Sequence, residues 1–131
     1  MSTSIGVIGL GIMGAAYARN LMGKGFTVIG FDVDTTKLKE LEAQGLKPAT
    51  SPADVGRQCD LVVTSLPTPK AFHAVMSGPK GLTEVGRPIV VADTCTLALS
   101  DKEQAYEALT AAGVTLLDCP VSGTGAQAAK G

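Results

Sequence analysis

The chain has 131 residues, of which 45% are hydrophobic and 18% charged, with a formal net charge of −1. That suffices for one core, and the mixed charges leave no basic stripe for nucleic acid or an anionic membrane. Three cysteines without a C-x-x-C pair and a single His, His73, argue against a disulfide framework and a metal site. No apolar run reaches membrane-spanning length and no basic residue precedes Arg19, so a cytoplasmic protein with reduced thiols is expected.

In chain order, the apolar run 5–8 reads as a first strand, followed by a glycine cluster and a helical stretch that ends before Gly25. The run 28–31 is a second strand. Asp34 is placed to cap a helix carrying Leu38 and Leu41 on one face, with Gly45 as its stop. A weak short strand is expected at 46–49. Ser51-Pro52 and Thr68-Pro69 each put a capping residue before a Pro suited to the first helical position, on either side of a strand at 61–66. A further strand falls at 89–92. Ser100-x-x-Glu103 matches a capping box, with Ala105, Ala108, Leu109 and Ala112 as the apolar stripe and Gly113 as terminator. The last strand is 114–117. Because the strand runs are almost continuously apolar, they suit a parallel sheet buried on both faces. The order βαβαβ, repeated, predicts an α/β fold: a doubly wound, mainly parallel sheet with helices on both faces.

Between the first strand and first helix stands Gly9-Leu10-Gly11-Ile12-Met13-Gly14. Such a G-x-G-x-x-G is weak alone and informative in this place. The first Gly permits the tight turn, the second lets a pyrophosphate approach the backbone, and the third lets the helix pack on the strands. The helix N-terminus adds free amides and the positive end of its dipole. The second strand ends at Asp32, about twenty residues beyond the glycines, where a carboxylate can accept hydrogen bonds from adenosine ribose hydroxyls. Val33 and Asp34 bring no cation for a 2′-phosphate, so NAD is favoured over NADP. This is a Rossmann-type dinucleotide site.

The stretch GLGIMGAAYARNLMGKG from Gly9 to Gly25 is narrower than the general fingerprint. It resembles the N-terminal domain of the β-hydroxyacid dehydrogenases, relatives of 6-phosphogluconate and 3-hydroxyisobutyrate dehydrogenases, with Met13, Ala18, Asn20, Leu21 and Gly25 in pattern. Leu66-Pro67 matches a Leu-Pro strand exit of that family, and Asp93-Thr94-Cys95-Thr96 its D-x-S-T with Cys95 for Ser. Asp118-Cys119-Pro120-Val121-Ser122-Gly123 matches its D-x-P-V-S-G, after which Thr124 stands where Gly is usual. The resemblance covers the whole chain. It implies that Gly9, Gly11, Ile12, Met13, Gly14 and Asp32 line the NAD site, with Leu66, Pro67 and Thr96 meeting the cofactor near the ribose and nicotinamide. Ser122 and Gly123 would hold the substrate's carboxylate and hydroxyl, and Thr124 would tune which acid is accepted. The substrate would be a small 3-hydroxy acid or its semialdehyde, the full-length enzyme a homo-oligomer.

Some of these residues also have plainer readings: Leu66-Pro67 as a strand exit, Thr96 as a cap, Cys95 and Cys119 as filling, His73 as surface or satisfied core. The family's proton-handling Lys lies in a G-x-x-x-K-x-x-N segment that this sequence lacks, since Asn20 is its sole Asn. Residues 1–131 are thus expected to be a dinucleotide-binding domain ending before its last elements, without the family's helical domain. The catalytic Lys is expected beyond Gly131, and the chain by itself is expected to be inactive. Two rival readings are a non-catalytic NAD sensor, which has no use for D-x-P-V-S-G, and an imine reductase of the same superfamily.

Overall fold

The computed structural model describes residues 4–119. Among them, six parallel strands form one sheet: β1 (Ser4–Ile8), β2 (Thr27–Phe31), β3 (Lys47–Pro48), β4 (Leu61–Thr64), β5 (Val90–Asp93) and β6 (Thr115–Asp118), in the order β3-β2-β1-β4-β5-β6. The intervening helices are α1 (Ile12–Gly23), α2 (Thr35–Glu42), α3 (Pro52–Gln58), α4 (Pro69–Ser77) and α5 (Leu99–Ala111), with a 3-10 turn at Leu82–Glu84. This is the doubly wound arrangement expected from the sequence.

Successive strand side chains point to opposite faces, and the core divides accordingly. Val7 and Val28 pack with Leu10, Ala18, Leu41 and Leu46 beneath α1 and α2. Ile8 and Ile29 face the other way, into a larger cluster with Val55, Val62, Phe72, Met76, Val91 and Leu109. Both faces are buried, which is why the central strands carry almost no polar alternation.

Local chemistry starts three of the helices where the sequence places them. The Asp34 carboxylate accepts from the amides of Thr36 and Lys37 at α2. Ser51 Oγ accepts from Asp54 N at α3, and Thr68 Oγ1 from Ala71 N at α4, each before a Pro in the first turn. The Asp54 carboxylate reaches back to Thr50 N at 2.9 Å, and that bond, larger than the opposing effect of burial, lowers its pKa.

Three expectations need correction. The Ser100-x-x-Glu103 box does not begin α5: Ala98 is the N-cap, no side chain caps it, and Ser100 lies inside the helix. Its start is set by the loop from β5, with Ala98 O receiving the amides of Asp101 and Lys102. Strands β5 and β6 each run one residue past their apolar runs, because Asp93 and Asp118 are paired in the ladder. β4 stops at Thr64, two residues before the run's end, as the chain turns toward α4.

Candidate functional site

The sheet order reverses between β1 and β4, so the loops leaving β1 and β4 part on opposite sides of the sheet. The resulting cleft, of about 860 Å³, is lined by Gly9, Gly11, Ile12 and Met13 after β1, and by Asp32, Val33 and Lys37 after β2. Ser65, Leu66, Pro67 and Lys70 close it on the β4 side.

Its floor is the glycine turn. Gly9 has φ +92°, and a Cβ there would lie 1.9 Å from the Ser65 carbonyl oxygen. A Cβ on Gly14 would lie 1.7 Å from the carbonyl oxygen of Gly9, so only glycine lets α1 sit this close to the turn. Gly11 is different, because a Cβ there meets nothing within 4 Å and would project into open space. Gly11 is also the N-cap of α1 and supplies no side chain to cap it. The first helical bond runs from Ala15 N to Gly11 O, leaving the amides of the preceding turn without carbonyl partners in the helix. With the helix dipole behind them, those amides suit an anion such as a diphosphate.

Asp32 faces the turn. One carboxylate oxygen accepts from Leu10 N at 2.7 Å and the other from Asp34 N at 2.8 Å. These bonds fix the carboxylate at the cleft mouth and leave lone pairs for the hydroxyls of a sugar. Ile12 and Val33, 79% and 87% exposed, give the cleft apolar lips on which a flat ring can rest.

Seven of the nine residues expected at the cofactor thus line one cleft. Gly14 lies buried beneath it, and Thr96 is exposed on the loop after β5, outside the cleft lining. Ser122, Gly123 and Thr124 fall outside the described residues. Lys37 and Lys70 were not foreseen, although one lies five residues beyond Asp32 and the other three beyond Pro67. The cleft therefore does contain cations, which Val33 and Asp34 alone do not suggest.

Beside the cleft, the ends of β4, β5 and β6 share a polar cluster that is buried except at Asp118. Lys102 Nζ, on α5, donates to Asp93 Oδ2 at 2.5 Å, to Asp118 Oδ1 at 2.6 Å and to the Cys95 carbonyl at 2.7 Å. Asp93 Oδ1 accepts from Thr64 Oγ1 at 2.6 Å, and Cys95 Sγ accepts from Leu66 N at 3.1 Å. Burial alone would lower the Lys102 pKa; hydrogen bonds to Asp118 and Asp93, and their charge, outweigh it and raise the value. Burial, aided by the Asp93 carboxylate, pushes the Cys95 thiol up to about 12, so it is an inert acceptor rather than a nucleophile. Nothing in the sequence marks Lys102. Its burial comes from where α5 crosses the strand ends, a tertiary fact.

A separate titratable pair is formed by His73 on α4, whose Nε2 lies 2.9 Å from Asp101 Oδ1 on α5 while Nδ1 is buried without a partner. Among the described residues there is no group of three potential metal ligands and no helix long and apolar enough to cross a membrane.

Comparison with known proteins places this chain in a family. The profile of the NAD binding domain of 6-phosphogluconate dehydrogenase matches residues 4–131. An L-threonate dehydrogenase of Cupriavidus necator is 37% identical over the whole chain and 44% of its own length. The structure of Mycobacterium tuberculosis 3-hydroxyisobutyrate dehydrogenase with L-serine superposes with a TM-score of 0.89 at 31% identity, covering 99% of this chain and 44% of that one. An imine reductase of Streptomyces aurantiacus superposes with a TM-score of 0.78 at 26% identity, over 87% of this chain and 39% of its own. The chain spans less than half the length of the curated relatives it matches. With the profile matched from the first described strand onward, the chain belongs to the family of the NAD-binding domain of 6-phosphogluconate dehydrogenase.

Proposed function

We propose that this chain holds NAD for an oxidoreductase acting on a small 3-hydroxy acid or its semialdehyde. The observation that carries this is the pairing of an uncapped glycine turn with a fixed Asp32 carboxylate across one cleft at the sheet's reversal point. In this reading the α1 amides receive the diphosphate, Asp32 the adenosine ribose, and the apolar lips the adenine. Leu66 and Pro67 wall the site toward the nicotinamide. When bound, the nicotinamide supplies the hydride acceptor or donor. The substrate's carboxylate and hydroxyl fall to Ser122 and Gly123, with Thr124 beside them, by resemblance to the family's D-x-P-V-S-G.

The proton of the substrate hydroxyl needs an acceptor. Lys102 does not serve, because its ammonium is committed to three acceptors. The sequence has no G-x-x-x-K-x-x-N segment, so the chain alone is expected to bind cofactor and turn over negligibly.

Asp32 favours NAD, since a 2′-phosphate would approach a carboxylate already fixed at the mouth. Lys37 and Lys70 soften that preference. Titration with NADH and NADPH, followed by nicotinamide fluorescence, is the test. Saturable binding of NADH, tighter than that of NADPH, is expected, and Asp32→Ala should narrow the gap by roughly tenfold. Absence of saturable dinucleotide binding would overturn the reading. The likeness to an imine reductase supports a second reading with the same cofactor and a different substrate. Assays of the enzyme that carries this domain, with 3-hydroxy acids against cyclic imines, separate the two.

A further inference from the structure

Asp93 and Asp118 are the last residues of adjacent parallel strands and are paired in register. Two carboxylates side by side at the end of a sheet repel, and Asp93 is fully buried. Lys102, itself 7% exposed, resolves this by donating to both, and its third proton goes to the Cys95 carbonyl. An ammonium has three protons, so the group is saturated and its position determined.

From this centre the restraint spreads toward the cleft by two routes. Through Asp93 it reaches Thr64 at the end of β4, whose carbonyl in turn accepts from Thr94 Oγ1 at 2.8 Å. Through Cys95 it reaches the amide of Leu66, which lines the cleft. Buried ion clusters are poor sources of stability, because desolvation cancels most of the Coulomb gain; their contribution can be geometric definition.

We propose that Lys102 is a positioning residue for the nicotinamide end of the dinucleotide site, locking the exits of β5 and β6 together and holding the 93–96 loop against the exit of β4. This rests on the reading of the cleft as a dinucleotide site. Lys102 touches no ligand itself. It sets the wall formed by Leu66 and its neighbours, and leaves the adenosine end, built by β1 and β2, untouched.

Comparing two ligands isolates the effect. ADP-ribose shares with NADH everything except the nicotinamide. The chain is titrated with both, in the parent form, in Asp118→Ala and in Lys102→Met, with circular dichroism confirming the fold of each. Asp118 is half-exposed, so Asp118→Ala removes one arm of the cluster and keeps the buried Lys102–Asp93 pair; it carries the test if Lys102→Met fails to fold.

The parent chain is expected to bind NADH more tightly than ADP-ribose. In Lys102→Met the NADH affinity should fall roughly fivefold and the nicotinamide fluorescence enhancement with it, and in Asp118→Ala, which unlocks β6 but keeps the Asp93 and Cys95 contacts, roughly twofold, while ADP-ribose affinity holds in both. Equal weakening of both ligands, or no change in either, overturns the proposal and leaves the cluster a structural one. Equal affinity of the parent chain for the two ligands overturns it as well. Failure of the parent chain to bind either ligand overturns the dinucleotide reading itself, and the proposal with it.

Discussion

Gly11 and Gly14 are three positions apart and differ in what a methyl group would meet. At Gly14 the methyl collides with the Gly9 carbonyl, so Gly14→Ala should destabilise the fold by about 1–3 kcal/mol, the usual cost of forcing atoms into a packed site. At Gly11, which lines the cleft, it meets nothing, so Gly11→Ala should cost at most about 1 kcal/mol as a poorer N-cap, yet weaken NADH binding. Chemical denaturation beside NADH titration distinguishes the two effects. The thiols make a second residue-level case. Burial pushes Cys59 up to about 11 and Cys95 to about 12, whereas Cys119 is exposed. A disulfide reagent at neutral pH should therefore modify Cys119 quickly and the other two only on unfolding. Above the ordinary thiol value of 9.0 the unfolded chain loses these protons while the folded chain keeps them. Stability should accordingly fall as pH rises from about 9 toward 12, which denaturation midpoints across that window would show.

At the scale of elements, what was legible followed what was local. The caps of α2, α3 and α4 depend on a side chain and an amide two or three residues away, so Asp34, Ser51 and Thr68 could be read directly. The glycine turn was legible for the same reason. The start of α5 was not, although Ser100 and Glu103 had the right spacing, because the loop leaving β5 sets it through the Ala98 carbonyl, and from that helix Lys102 reaches into the ends of two strands. Charge alone cannot mark such a lysine among those that stay in solvent. Lys102→Met should thus behave unlike a surface change, leaving the Asp93 carboxylate buried without its cation at a cost of about 3–5 kcal/mol. Asp118→Ala, with its half-exposed carboxylate, should cost about 1 kcal/mol or less. Urea denaturation of the two variants reads both values.

For the molecule as a whole, the sheet order carries the most information. The apolar runs implied parallel strands but said nothing of which lie side by side, and that ordering creates the cleft. It also gathers Thr64, Asp93 and Asp118 at the carboxyl ends of three adjacent strands, although they come from distant parts of the sequence.

Every neighbouring pair of strands is also consecutive in the chain except β1 and β4, which join Ile5 to Leu61 across the intervening half-domain. Closing that contact costs more loop entropy than any other, so the two three-stranded halves are expected to form first and meet along it last. The proposed ligand lies over this same seam, touching the glycine turn on one half and Leu66 on the other. A dinucleotide should therefore act as a latch, slowing unfolding while leaving the folding rate almost unchanged. Stopped-flow refolding and unfolding with and without NADH would reveal it as a shift confined to one arm of the chevron.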